Sequence, residues 1–236
     1  MVWDGARGKR PGSVFRAGLV MRLVLVGPPG SGKGTQARLL SERLGLAEYG
    51  TGDILRDAIR LGTDAGKQAE PFLKRGQLAP DHLVNELVRD VFTRQPRPDR
   101  FVFDGYPRTL AQGVWFDGLL ADLKLPLTDV ILFEVSDDEV VRRMSGRRVS
   151  PTTGAVYHIT DRPPRKPGVC DVDGKPLLQR DDDREEVIRE RLRVFRTTTE
   201  GLCAYYRANA LLRVVPAVGT IEAIYSTMVN LLSGRT

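Results

Sequence analysis

The chain has 236 residues and a formal net charge of +6, enough for one large domain with its own core and too few for two ordinary ones. A composition 41% hydrophobic and 28% charged excludes a disordered or fibrous protein, and no run approaches the roughly 18 apolar residues of a membrane-spanning helix. Two cysteines, Cys170 and Cys203, exclude a disulfide framework and point to a reducing compartment, whereas the positive excess leaves nucleic acid, an anionic surface or a polyphosphate ligand open.

Residues 1–20 mix Gly5, Gly8, Pro11, Gly12 and Gly18 with Arg7, Lys9, Arg10 and Arg16, without helical or strand period. They are expected to be an unstructured extension, either a basic organellar presequence or a stretch translated from upstream of a start at Met21. Arg22 to Val26 is a short apolar strand, followed by a glycine-rich turn and a helix from Thr35 to Leu44 that Gly45 stops. Residues 50–79 read as polar helix interrupted at Gly62 and Gly76. Phe101-Val102-Phe103-Asp104 is a second strand, Thr109 to Lys124 a helix, and Val130 to Val135 a third strand before Asp137. Residues 146–183 are rich in proline, glycine and charge, with Val156 to Ile159 their one strand-like run. Ile188, Leu192, Phe195, Thr199, Leu202 and Tyr206 recur at four- and three-residue steps, which predicts a long amphipathic helix from Asp183 to Arg207. Asp181, Asp182 and Asp183 suit its dipole. Leu211 to Val215 is the last strand. Short apolar strands alternating with helices predict an α/β fold on a parallel sheet. Residues 50–79 and 146–183 are expected to be two flaps over a rigid core of 21–49, 80–145 and 184–236.

The segment Gly27-Pro28-Pro29-Gly30-Ser31-Gly32-Lys33-Gly34-Thr35 lies between a strand and a helix. Glycines there let successive backbone N–H groups turn inward around phosphate oxygens, and the helix N-terminus adds positive potential. Lys33 is placed to reach a transferred phosphoryl group and Thr35 to approach Mg²⁺ or phosphate. Gly34 stands where Ser or Thr is usual, so the pattern is displaced by one residue.

Further along come Thr51-Gly52-Asp53-Ile54-Leu55-Arg56, then Asp104-Gly105-Tyr106-Pro107-Arg108-Thr109 with Gln112, then Gly146-Arg147-Arg148, then Arg180-Asp181-Asp182-Asp183 with Arg191. With these motifs in this order, the sequence from Met21 onward resembles the adenylate kinases of the long-lid bacterial type. The resemblance implies a P-loop, three-layer α/β fold with a central parallel five-stranded sheet, a helical flap binding the monophosphate (50–79) and a small β-rich lid (146–183). It implies reversible phosphoryl transfer between ATP and AMP with Mg²⁺, held near Asp104 and Thr35 through water.

By the same resemblance, Lys33, Asp104, Arg108, Arg143, Arg147, Arg180 and Arg191 are the catalytic set. Gly30 to Thr35, Arg147, Val156, Tyr157 and Ile221 would contact ATP. Thr51, Arg56, Gln77, Leu78, Ala79, Gly105 to Arg108, Gln112, Arg180 and Arg191 would contact AMP. The chemistry agrees: guanidinium forks bind phosphate oxygens in pairs, and a glutamine amide offers a donor and an acceptor to an adenine edge. Arg148, Arg184, Arg189 and Arg193 read as surface charges, and His82 and His158 as structural. Thr51 and Gln112 favour AMP over UMP or CMP as acceptor; a non-catalytic nucleotide-binding module would need a lost catalytic group. ATP, AMP and ADP are the expected partners of a cytoplasmic monomer, with neither nucleic acid nor membrane. Many long-lid relatives hold a structural zinc; the matching positions here are Ser150, Thr153, Cys170 and Asp173. Two hydroxyls are poor zinc ligands, so no stable zinc is expected. The expected substitute is a pin in which Ser150 and Thr153 donate to Asp173.

Overall fold

The computed structural model describes residues 20–93 and 96–234. The expected extension of residues 1–20 therefore lies, Val20 apart, outside the described residues.

The first strand, β1 (Arg22–Val26), is apolar on both faces and leads through the glycine-rich loop into α1 (Lys33–Leu44), which Gly45 ends in the left-handed conformation at φ 68°. Then follow β2 (Ala47–Gly50), the flap helices α2 (Thr51–Arg60) and α3 (Asp64–Lys74), and α4 (Asp81–Thr93). After β3 (Phe101–Asp104) come α5 (Leu110–Asp122), β4 (Asp129–Glu134) and α6 (Asp137–Ser145). The segment 146–183 supplies a hairpin, β5 (Arg147–Val149) and β6 (Val156–His158), and a 3-10 turn at Asp181–Asp183. The chain closes with α7 (Glu185–Ala208), β7 (Leu212–Pro216) and α8 (Ile221–Ser233).

Five strands form one sheet in the order β2-β3-β1-β4-β7, each neighbouring pair parallel. Both faces are covered, as a parallel sheet requires. Leu23, Leu25, Ile131, Phe133 and Val215 pack against α1 and α8 on one side. Val24, Val26, Phe101, Phe103 and Val130 pack against α4, α5 and α7 on the other. The result is the three-layer α/β arrangement. β2 is the strand that apolar runs do not reveal: its sequence is Ala-Glu-Tyr-Gly, it lies at the sheet edge, and it meets the core through Ala47 and through Tyr49, which stacks on Phe103 at 5.1 Å. The long helix begins two residues later than its periodicity suggests, because Asp181–Asp183 forms the 3-10 turn instead.

The segment 50–79 is helical, and α2 and α3 touch through Gly66, where an added Cβ would stand 2.2 Å from the carbonyl oxygen of Ala58. The segment 146–183 has its own small core of Tyr157, Cys170 and Leu177. Within it Gly146 leaves space for the ring of His158, whose Nε2 would lie 2.1 Å from an added Cβ.

Candidate active site

The site is built at the carboxyl ends of β1 and β3, where open parallel sheets bind ligands. Gly30 and Gly32 take φ of +70° and +94°, which turns the loop so that α1 starts at Lys33. The Lys33 ammonium donates to the carbonyl oxygens of Gly27 and Pro28, each at 2.8 Å, and to Ser31 Oγ at 3.2 Å. Burial pushes its pKa down to about 8; Asp104 opposes the shift, and Arg108, Arg191 and Arg147 add to it. A Cβ at Gly34 would stand 2.9 Å from Asp104 Oδ2, so a side chain there would displace the carboxylate. Asp104, the last residue of β3, lies in register with Leu25 of β1. Its half-buried carboxylate accepts no hydrogen bond from any described residue, and Thr35 follows Lys33 by two positions in the first turn of α1. A carboxylate beside the phosphate loop with its lone pairs uncommitted fits a hydrated Mg²⁺.

Facing the loop is a cleft, open to solvent, which Lys33 shares with Thr51, Arg56, Arg108, Gln112 and Arg191. Gln77, Leu78 and Ala79 line it from the end of the flap, and Gly105 and Pro107 from the turn after β3. Thr51 Oγ1 and Arg108 Nε both donate to the Gly105 carbonyl, at 2.9 and 2.6 Å. Gly105 has φ +75°, and an added Cβ would stand 2.8 Å from Arg108 Nη2. Burial lowers the pKa of Arg108, partly offset by Asp104. Tyr106 turns its side chain away from the cleft. Its ring is fully buried among Phe103 and Phe116, and its hydroxyl donates to Asn85 at 2.7 Å; it joins Pro107 through a cis peptide bond.

The remaining arginines converge with acids, Asp182 and Asp183 before α7 and Asp53 in α2. Arg191 pairs with Asp182 at 2.6 Å, and Arg147 with the buried Asp183. Asp53 accepts from Arg56 at 2.6 Å and from Arg180 at 3.5 Å. Burial brings Arg191 and Arg180 down to about 10, so both stay charged at neutral pH. Burial also opposes the charge on Arg147, but the Asp183 hydrogen bond outweighs it and its pKa is raised. Three consecutive aspartates before an arginine-rich helix were the available signal for this lattice. Arg143 stands apart, donating to Glu139 and to the Ala217 carbonyl at 2.9 Å. It thereby fixes the loop before α8, where the Ile221 carbonyl accepts from Gln36 at 2.9 Å.

In the hairpin segment the structure corrects one reading, that of the pin on Asp173. Tyr157 turns its side chain into the local core, where its hydroxyl accepts from the Asp171 N–H at 2.9 Å. The pin on Asp173 is made by Thr152, whose hydroxyl donates to Asp173 Oδ2. Ser150 instead accepts from the Thr153 N–H at 3.2 Å, and Thr153 lies 3.6 Å from Cys170 Sγ. The four positions that would face zinc are thus two neutral hydroxyls, a thiol hydrogen-bonded to Thr153 and Tyr157, and a carboxylate already bonded to Thr152. They do not fit that ion. Among the described residues no group of three or more His, Cys, Asp or Glu is placed to hold a metal. His158 accepts at Nδ1 from the N–H groups of Thr160 and Asp161, a turn-forming role. Arg184, Arg189 and Arg193 form exposed pairs with Asp181, Glu185 and Glu190.

Comparison with known proteins agrees with this geometry. The family described as "Adenylate kinase" matches residues 25–211. An adenylate kinase of Anaeromyxobacter sp. (strain Fw109-5) is 43% identical over 90% of this chain and 100% of its own length. Those of Caldicellulosiruptor saccharolyticus and Archaeoglobus fulgidus are 42% and 41% identical, over 88% and 90% of this chain and 95% and 98% of their own lengths. A phosphate loop facing an arginine-lined cleft, with likeness along nearly the whole described chain, has one explanation: the chain belongs to the adenylate kinase family.

Proposed function

We propose that the chain transfers the terminal phosphoryl group of ATP to AMP, reversibly, giving two molecules of ADP. The observation that carries this reading is Lys33 of the phosphate loop and Arg56, Arg108 and Arg191 lining one cleft. Transfer between two phosphates needs in-line alignment, neutralisation of the moving charge and exclusion of water, and no base, since the attacking phosphate is already deprotonated. The loop from Gly30 to Thr35 with Lys33 holds the donor phosphates. Arg56 and Arg108 orient the acceptor phosphate. Arg147, Arg180 and Arg191 exchange their carboxylate partners for the transferring group. Asp104, beside Thr35, would hold Mg²⁺, which would supply charge neutralisation to the donor phosphates.

Thr51 and Gln112, with the 77–79 and 105–107 backbones, form the AMP site. Arg143, Ile221 and the backbone of Val156 and Tyr157 border the donor nucleotide. Residues 50–79 and 146–183 act as flap and lid around core segments 21–49, 80–145 and 184–236, closing to keep water from the phosphoryl group. The chain works as a cytoplasmic monomer on ATP, AMP and ADP, with neither nucleic acid nor membrane as partner; no helix among the described residues is long and apolar enough to cross a membrane. Steady-state kinetics of Arg108→Ala test the site: kcat/KM falls by about 10²-fold or more with the circular dichroism spectrum retained. Near-normal turnover would contradict it.

A further inference from the structure

Gln112 is a buried glutamine in the first turn of α5 that lines the acceptor cleft, and both ends of its amide are already engaged. Its Nε2 donates to Asp81 Oδ1 at 2.7 Å, and its Oε1 accepts from the backbone N–H of Arg108 at 2.8 Å. An amide's orientation is usually ambiguous because nitrogen and oxygen look alike. Here it is not: an ionised carboxylate only accepts and a backbone N–H only donates, so one orientation satisfies both partners and the flipped one satisfies neither. Asp81 is itself held. Its Oδ2 accepts from Thr109 Oγ1 at 3.1 Å, and that same hydroxyl caps α5 by accepting from the Gln112 N–H at 3.1 Å. The first turn of α4, the cap of α5 and the Gln112 side chain therefore form one closed hydrogen-bonded ring.

An amide has two N–H donors and two acceptor lone pairs. After Asp81 and Arg108 take one each, Gln112 keeps one N–H and one lone pair for a ligand. That pair is complementary to adenine, which sets a ring-nitrogen acceptor, N1, beside an amino donor, N6. Hypoxanthine carries the reverse, an N–H at position 1 and a carbonyl at position 6, and is matched only by the flipped amide. Leaving buried polar groups facing like groups is what gives such a site its discrimination.

We propose that Asp81 is the positioning residue for acceptor-base recognition: by fixing the orientation of the Gln112 amide, it makes the site read a 6-aminopurine monophosphate and reject a 6-oxopurine one. The inference rests on the reading that Gln112 faces the acceptor base. Asp81 itself does not line the cleft, which separates it from the residues that touch the nucleotide.

The test compares kcat/KM for AMP and for IMP on the same enzyme preparation, so that any unfolded fraction cancels from the ratio. Asp81→Ala removes one of the two partners that hold the amide and leaves the Arg108 N–H alone to orient it; the AMP-over-IMP ratio falls by about 5- to 10-fold, the worth of roughly one hydrogen bond. The loss appears as a raised KM for AMP, while the KM for ATP is unchanged. Asp81→Asn keeps an oxygen for Nε2 and restores most of the ratio, a rescue that a merely stabilising role would not give. Asp81→Ser, too short to reach the amide but able to keep a polar group in the first turn of α4, behaves as Asp81→Ala and stands in for it should that variant fail to fold. Gln112→Ala marks the floor of discrimination. Ratios within twofold of the natural chain in both Asp81→Ala and Asp81→Ser, with Gln112→Ala at the floor, overturn the role of Asp81 alone. A natural ratio retained in Gln112→Ala overturns the base-reading role of Gln112, and the proposal with it.

Discussion

Arg180 Nη2 lies 3.5 Å from Asp53 Oδ1, which ties the segment 146–183 to the helical segment 50–79. The same carboxylate oxygen holds Arg56 at 2.6 Å, and Asp182 stands 4.0 Å from the other side of that guanidinium. Carboxylates thus pair with the positive groups proposed to receive phosphate, which holds several buried guanidinium groups together.

The Asp53 side chain is 68% exposed, so this tie is weak and salt-screened. Asp53→Ala is expected to shift the nucleotide-free protein towards a wider lid-to-flap separation, by at most about fivefold in the closed-to-open ratio. Energy transfer between dyes on the two segments measures it. High salt reproduces the shift in the natural protein, and saturating ATP with AMP abolishes it. An unchanged distance distribution in both Asp53→Ala and Arg180→Ala would show that the tie does no work.

Lys33 gives a pH signature. Its pKa of about 8 lies below the usual lysine value because it is buried among arginines, so the free enzyme loses this charge as pH rises through 8. Since kcat/KM reports the free enzyme, kcat/KM for ATP is expected to fall about tenfold per pH unit above 8, whereas kcat, measured with phosphates around the ammonium, stays level further into the alkaline range. The stability linkage has the opposite sense. The folded state gives up the proton more readily than the unfolded one, so a penalty present below pH 8 is relieved as pH rises towards 10.5. Lys33→Met therefore melts higher than the natural chain at pH 7, with the gap closing in alkali. A flat kcat/KM profile to pH 9.5 contradicts the assignment.

The lid pin is tested by Thr152. Its hydroxyl is the first cause of the depressed pKa of Asp173, so the stabilisation is present above the unfolded carboxyl pKa and lost as pH falls through the folded one. Thr152→Val is expected to lower the melting temperature by about 2 °C at pH 7 and by nothing measurable near pH 2. Elemental analysis of the natural protein is expected to find well under one zinc per chain. Ser150→Cys with Thr153→Cys supplies three thiols and a carboxylate and is expected to bind zinc. Equal melting of Thr152→Val and the natural chain at pH 7, or stoichiometric zinc in the natural chain, contradicts the pin.

What the sequence showed and hid divides by the kind of signal. Apolar runs such as Arg22–Val26 and Phe101–Asp104 are legible because central parallel strands are buried on both faces. Ala47–Gly50 is not, because an edge strand is held largely by backbone pairing with β3. Glycines with positive φ at 30, 32 and 105 mark the ligand-binding turns, and so the turns could be read. Side-chain direction could not. Tyr106, after β3, and Tyr157, in β6, point into cores, and in the turn after β5 a shift of one residue gives the Asp173 bond to Thr152 rather than Thr153. Asp81 escaped because its role is visible only once α4 and α5 are brought together.

The most direct measurement of the central claim is the acceptor panel: ATP and Mg²⁺ with AMP, UMP, CMP or GMP, following ADP formation in a coupled assay. The account predicts that AMP is consumed one for one with ATP to give two ADP, with kcat/KM far above that of every other monophosphate. UMP or CMP used as efficiently as AMP, or no ADP formed from ATP and AMP, would contradict it.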